Sequence, residues 1–276
     1  MLEKKKLILM GFCVALVSAG TGIGGGAMLV PLLVSVFGFD FKKAAGVSLA
    51  TIIPISFIGA VSHIAFSPDF PDLKYYWSFI PSCGLGTLIG GKIIPRWKSR
   101  WLKIAFSVFL LMVSLNMLQV LNSPALVFSG LKDILWANPW AMIFGVGLFI
   151  GIIAVLLGVG CGLLIVPFYV IIIDFPMHQA ITLSLSTMFF LSLSATFVQN
   201  KLKQLDIDTV RQLFLPALTG ALVGVMIASR LPSPVLKKIF GLFLLITACS
   251  YLLHELLSNE NHLVLFKKHT IKGESA

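Results

Sequence analysis

The chain has 276 residues, 58% of them apolar and only 12% charged, with 21 basic side chains against 11 acidic ones and a formal net charge of +10. Water-soluble domains run at about 45–50% apolar and about 25% charged, so a cytosolic enzyme, a secreted disulfide scaffold and a disordered chain are excluded. The composition is that of an all-α integral membrane protein, because one crossing takes about 20 apolar residues and eight would take about 160.

The first apolar run covers residues 7–37 and follows Lys4, Lys5 and Lys6. Its basic start and Val17-Ser-Ala19 have the form of a secretory leader. They lead, however, straight into Gly22-Ile-Gly-Gly-Gly26, a motif that recurs far inside the chain, so the segment reads as uncleaved. Apolar runs follow at 44–66, 76–95 and 103–121, separated by polar stretches such as Ser67 to Asp72 and Lys92 to Lys103. Beyond a linker at 122–137, the fifth run covers 138–173 and is interrupted by Gly158-Val-Gly-Cys-Gly162. The last three runs lie at 180–199, 212–229 and 236–256, ahead of a polar tail at 257–276.

The first and fifth runs are related. At an offset of 136 residues, Gly22, Gly24, Gly26 and Pro31 fall on Gly158, Gly160, Gly162 and Pro167, and without a gap Ala44, Ser48, Leu49 and Thr51 fall on Ala180, Ser184, Leu185 and Thr187. At an offset of 134, Gly86, Gly90, Arg96, Ser99 and Lys103 fall on Gly220, Gly224, Arg230, Ser233 and Lys237. The expected fold is therefore about eight transmembrane helices from a duplicated four-helix unit, 1–121 and 138–256, with the first helix of each half broken at its glycines. Four crossings per half would leave the halves in the same orientation, a parallel repeat, whereas a re-entrant hairpin at a glycine-broken run would invert them. The sequence leaves both open. Counting basic residues favours a cytoplasmic side for the loops Lys92–Lys103 and Arg230–Lys238, which in an eight-span reading puts Lys4 to Lys6 on the wrong side.

Alternating glycines inside a bilayer are poor helix formers and are tolerated where backbone lines a cavity or packs on protein. A helix that restarts after them presents free N–H groups and the positive end of its dipole, a place for an anion. Broken helices at matching positions of two halves point to a transporter's substrate site. The candidate substrate-binding residues are accordingly Gly22, Gly24, Gly25, Gly26 and Pro31 in the first half and Gly158, Gly160, Cys161, Gly162 and Pro167 in the second. Ser48 with Thr51, and Ser184 with Thr187, are spaced three apart on one helix face and offer neutral hydroxyl donors, unless each bonds back to its own helix. Ser192, Ser194 and Thr196 extend that stripe, and Cys161 stands where the first half has Gly25.

Other patterns read as structural. Gly86-x3-Gly90 and Gly220-x3-Gly224 are small-residue helix contacts, and Asn116 and Gln119 are helix–helix glue. His63 and His254 sit near the ends of runs and read as interfacial, while His178 falls in a loop after Asp174. Cys13, Cys83, Cys161 and Cys249 lie within apolar runs and read as small buried residues. The fit of Gly22 to Ala27 to a dinucleotide fingerprint has no βαβ unit around it. The basic clusters at run ends anchor loops rather than bind nucleic acid. No metal or other cofactor is expected, because the runs hold no carboxylate cluster and no mid-depth acid, base or nucleophile for an enzyme or a proton pump.

With the duplicated Gly-x-Gly-x-Gly-x4-Pro in view, the chain resembles the sulfite exporter TauE/SafE family of bacterial membrane permeases. The resemblance runs over nearly the whole length and rests on Thr21-Gly-Ile-Gly-Gly-Gly-Ala-Met-Leu-Val-Pro31, on Gly158-Val-Gly-Cys-Gly-Leu-Leu-Ile-Val-Pro167 and on the Gly-x3-Gly with its basic loop in each half. It implies a multi-pass permease of the bacterial inner membrane moving sulfite, thiosulfate, sulfoacetate or a related organosulfur anion, with membrane lipid as its surroundings. The expected function is transport of such a small anion by alternating access; an anion channel or a non-transporting structural membrane protein is the alternative, and a homo-oligomer is left open. The second half departs from the pattern at Cys161 and lacks three consecutive glycines.

Overall fold

In the computed structural model the described residues are 2–66, 74–93, 100–118, 139–157, 160–250 and 252; Gly158, the loop at 67–72, Gln119, the linker at 122–137, His254 and the tail at 257–276 lie outside them. The described residues are helical, with no strand among them. The helices are α1 (Leu2–Thr21), α2 (Gly26–Phe37), α3 (Phe41–Phe66), α4 (Lys74–Ile93), α5 (Arg100–Met117), α6 (Pro139–Leu157), α7 (Gly162–Pro167), α8 (Met177–Lys201), α9 (Ile207–Ala228) and α10 (Ser233–Ser250). A π-helical turn at Phe168–Ile172 continues α7, just after Pro167, which has no N–H to give to the helix. Four helices, α3, α8, α9 and α10, are long and apolar enough to cross a membrane. Large apolar side chains such as Leu9, Phe149, Leu215 and Ile246 lie exposed on the exterior, as suits a surface solvated by lipid tails rather than water.

Close contacts fix the helix directions. A Cβ on Gly220 would run into the carbonyl of Phe12, and one on Gly224 into that of Leu16, while Gly20 approaches Ala228, so α1 and α9 lie parallel. In the same manner Gly86 meets Leu148 and Gly90 meets Ile152, so α4 and α6 lie parallel. Both Gly-x3-Gly motifs thus serve close helix contact. The matched helices α3 and α8 run in opposite directions: Phe57 packs on Phe189, Gly59 on Leu185, and Gly46 lies against the Gln204 carbonyl just beyond the end of α8.

At the end of α1 the chain turns back. Leu29, Val30 and Leu33 of α2 return to a cluster with Leu7, Val14, Ala44 and Leu213, while Gly59 of α3 reaches Ala19 near the top of α1. Residues 7–37 therefore form two helices of opposite direction, and α3 then runs parallel to α1. After α6 the chain reverses again: Phe79 of α4, whose carbonyl borders Gly147, stacks on Phe168 at 5.8 Å and meets Tyr169 edge-on at 5.4 Å. One end of the bundle gathers the start of α1 and the α2–α3 and α8–α9 connections. The other gathers the ends of α3, α5 and α9 and the start of α8.

Three expectations change, at His63, at two of the cysteines and at His178. His63 is fully buried in α3 instead of interfacial, its Nε2 3.2 Å from the Ala19 carbonyl, one of the last carbonyls of α1, which lack helical partners. Cys83 and Cys161 are buried, but Cys13 and Cys249 are exposed, since a helix against lipid presents apolar residues outward as readily as inward. His178 belongs to the first turn of α8, with Nε2 3.1 Å from the Leu231 carbonyl. Asn116 is buried on α5.

Candidate functional site

The two turns meet each other inside the bundle. Gly162 lies so close to the first turn that an added Cβ would strike the carbonyl oxygens of Gly22 and Ile23, and Gly160 approaches Ile52 and the Gly24 carbonyl. Gly24 sits beneath the Met188 thioether, and Gly22 against Ile181 and Val166. Met188 and Ile52 occupy equivalent positions, one helix of each half closing over the turn of the other. Around them Ile23, Ile52, Met188 and Leu163 are each at most 1% exposed, so the region is buried.

The first turn is built from left-handed backbone. Gly22, Gly24 and Gly25 have φ of 74°, 88° and 64°, a region that costs a residue with a Cβ about 1–2 kcal/mol. Within it the Gly22 N–H donates to the Ser18 carbonyl at 2.8 Å, Gly26 to Gly24 at 2.6 Å, and Met28 and Leu29 to Gly25 at 3.1 and 2.8 Å. The N–H groups of Ile23, Gly24, Gly25 and Ala27 have no acceptor among the described residues. Gly25 caps α2 with no side chain, whereas α9, which begins at an end of the bundle, is capped by Asp206, whose carboxylate accepts from Asp208 and Thr209. Pro31 lies inside α2, and Gly38 ends it.

The second turn differs. Cys161 is right-handed, with φ −85°, and its thiol donates to the Ile150 carbonyl at 3.8 Å. Leu164 and Ile165 donate to the Cys161 carbonyl, both at 2.9 Å. Helix α7 has six residues and ends at Pro167.

The hydroxyls proposed as donors divide. Ser184 donates to the Gly22 carbonyl at 2.8 Å, and Thr51 bonds back to Val47 at 2.8 Å. Ser48 Oγ and Thr187 Oγ1 are buried with no partner. Farther along α8, Ser192 and Ser194 bond back to Phe189 and Phe190. Ser18, which the sequence offers only within the leader-like Val17-Ser-Ala19 and not as a site residue, has an unpartnered Oγ that would lie 3.4 Å from a Cβ on Gly25. No group of His, Cys, Asp or Glu able to hold a metal occurs among the described residues.

A cavity of about 430 Å³ opens at one end of the bundle, bounded by Met117, Asp174, Phe175, Ser233, Lys237 and Lys238. It stands apart from the turns.

A family model described as "Sulfite exporter TauE/SafE" matches residues 2–122 and 143–273. A curated protein of Arabidopsis thaliana, "Sulfite exporter TauE/SafE family protein 5", is 30% identical over 108 residues, which are 38% of this chain and 23% of that protein. The chain thus matches less than a quarter of that relative's length. No solved structure matches.

Proposed function

The chain belongs to the sulfite exporter TauE/SafE family, and on that premise we propose that it is a permease which carries a small sulfur oxyanion through the bundle at the two meeting turns. Family membership implies a multi-pass membrane transporter of sulfur anions. The finer reading names sulfite, thiosulfate, sulfoacetate or a related organosulfur anion as substrate and alternating access as the mode.

One observation carries it: helix turns from both halves, with unbonded N–H groups and unpartnered hydroxyls, sit buried against each other. Buried donors without acceptors are costly, and a desolvated oxyanion supplies the acceptors they lack. Our binding set comprises the backbone of Gly22, Gly24, Gly25, Gly26, Gly158, Gly160, Cys161 and Gly162, with Ser48, Thr51, Ser184 and Thr187 beside it and Pro31 and Pro167 shaping the helices beyond. Ser184, whose proton already goes to Gly22, holds the first turn in place; Ser48 and Thr187 keep donors free. Bound by dipoles and hydroxyls instead of a fixed cation, the anion is held loosely enough to leave.

We read the two halves as inverted repeats, because α3 and its match α8 run in opposite directions. In such pairs the halves exchange conformations, so opening toward one face mirrors opening toward the other. Met188 over Gly24 and Ile52 over Gly160 are the matched covers that would draw back in turn. Lys4 to Lys6, Lys42, Lys43, Lys201 and Lys203 share one end of the bundle, and Arg230, Lys237 and Lys238 the other, so the first end faces the cytoplasm of a bacterial inner membrane.

Reconstituted into proteoliposomes, the protein is expected to take up labelled sulfite, thiosulfate or sulfoacetate with saturation. Absence of flux for every oxyanion tested would refute the transport reading, and flux that never saturates would favour a channel.

A further inference from the structure

The two turns are not equivalent, and resting on the anion-permease reading but narrowing its binding set, we infer that the oxyanion is seated at the first turn, with Ser18 Oγ as a direct donor, while the second turn is a brace rather than a ligand. Three observations separate them. The first opens a 12-residue α-helix, whose dipole and free N–H groups act together; the second opens a helical stretch of similar length, Gly162–Ile172, that leaves α-helical bonding at Pro167 for a π-helical turn.

In the first turn Gly24 and Gly25 are both left-handed. Gly160 of the second turn is left-handed too, with φ of 76°, so left-handed backbone by itself does not set the turns apart. In the second the position of Gly25 is taken by right-handed Cys161, whose thiol is spent on Ile150 and whose side chain has no donor to spare for a ligand.

Third, Ser18 is 1% exposed and unpartnered, one turn ahead of Gly22, and its Oγ faces the N-terminal end of α2 at Gly25. The equivalent residue of the second half is Ala154, with no hydroxyl. A serine on a helix usually returns its proton to the carbonyl four residues back, as Thr21 does to Val17 at 2.6 Å. Ser18 does not, which leaves its proton for whatever enters between α1, α2 and α3. Val14 and Ile55 complete the wall at 3.4 and 3.5 Å from the same point. Entry of the anion therefore requires α3 to move Ile55 aside.

Saturable uptake of thiosulfate and sulfite into proteoliposomes tests this with Ser18→Ala, Ala154→Ser and the double swap, alongside thermal scans of each purified protein with and without thiosulfate. A hydrogen bond to a charged group contributes about 1.5–3 kcal/mol, so Ser18→Ala should raise KM about tenfold or more and weaken thiosulfate's protection to match. Its melting temperature without ligand should be unchanged. Ala154→Ser should leave KM as it is, and the double swap should not recover it. An unchanged KM in Ser18→Ala while the parent transports would overturn the inference and spare the transport reading. Recovery in the double swap would show the turns to be equivalent and overturn it too. A parent that moves neither anion and gains no protection overturns both.

Discussion

At the residue scale the contacts of the glycines, not their number, decide what each one does. Gly162 and Gly38 both border helix ends, yet a methyl on Gly162 strikes two backbone oxygens of the first turn whereas one on Gly38 meets open space. Backbone cannot swing away as a side chain can, so Gly162→Ala should destabilise by about 1–3 kcal/mol or more, and a thermal scan in detergent should show it. Gly38→Ala has only its φ of +67° to bear, about 1–2 kcal/mol, and should leave transport intact. A Gly162→Ala protein as stable as the parent would mean that the turns do not touch. The Gly-x-Gly-x-Gly pattern was legible because regular helix gives no reason for it. Ser18 was not, since one serine in an apolar run reads as back-bonded, and only the missing partner sets it apart. Thr51 took the bland course that its spacing allowed.

At the element scale, small residues locate contact lines. Gly90 and Gly224 make matching approaches to Ile152 and Leu16, while Gly84 and Gly145 have nothing within 4 Å. Ala at either open site should stabilise the protein by about 0.5–1 kcal/mol through helix propensity alone. Val at Gly90 or Gly224 should instead force the paired helices apart and destabilise by about 1–3 kcal/mol. Unfolding of the four variants side by side checks this, and a stabilising Gly224→Val would refute the parallel α1–α9 contact. Hydropathy marked residues 7–37 and 138–173 as too long for one crossing, but it carries no sign of direction. A helix that pauses and continues and a helix that turns back have the same composition. What distinguishes them is the return of α2 to the cluster at Leu7 and Leu213, a contact between residues far apart in sequence. The π-helical turn after Pro167 was equally hidden, although the proline that precedes it was in plain view.

For the whole molecule, direction follows from parity. Counted as one crossing each, the broken runs give two halves facing the same way; counted as hairpins, they give halves facing opposite ways. The hairpins also remove a conflict in the charge pattern. Lys4 to Lys6 now share an end with Lys42, Lys43, Lys201 and Lys203, and the loop at Arg230 moves to the opposite end from Lys92. On the proposed permease reading, that inverted pairing, with the turns meeting between the halves, is what would let one face close as the other opens. Impermeant maleimide labelling tests it most directly, using Lys43→Cys, Lys203→Cys and Arg230→Cys singly in a variant whose Cys13, Cys83, Cys161 and Cys249 are replaced by Ala. The three positions are exposed. In sealed vesicles of one orientation, Lys43→Cys and Lys203→Cys should label from the same side and Arg230→Cys from the other. Labelling of Lys43→Cys and Lys203→Cys from opposite sides would contradict the hairpins and with them the inverted repeat.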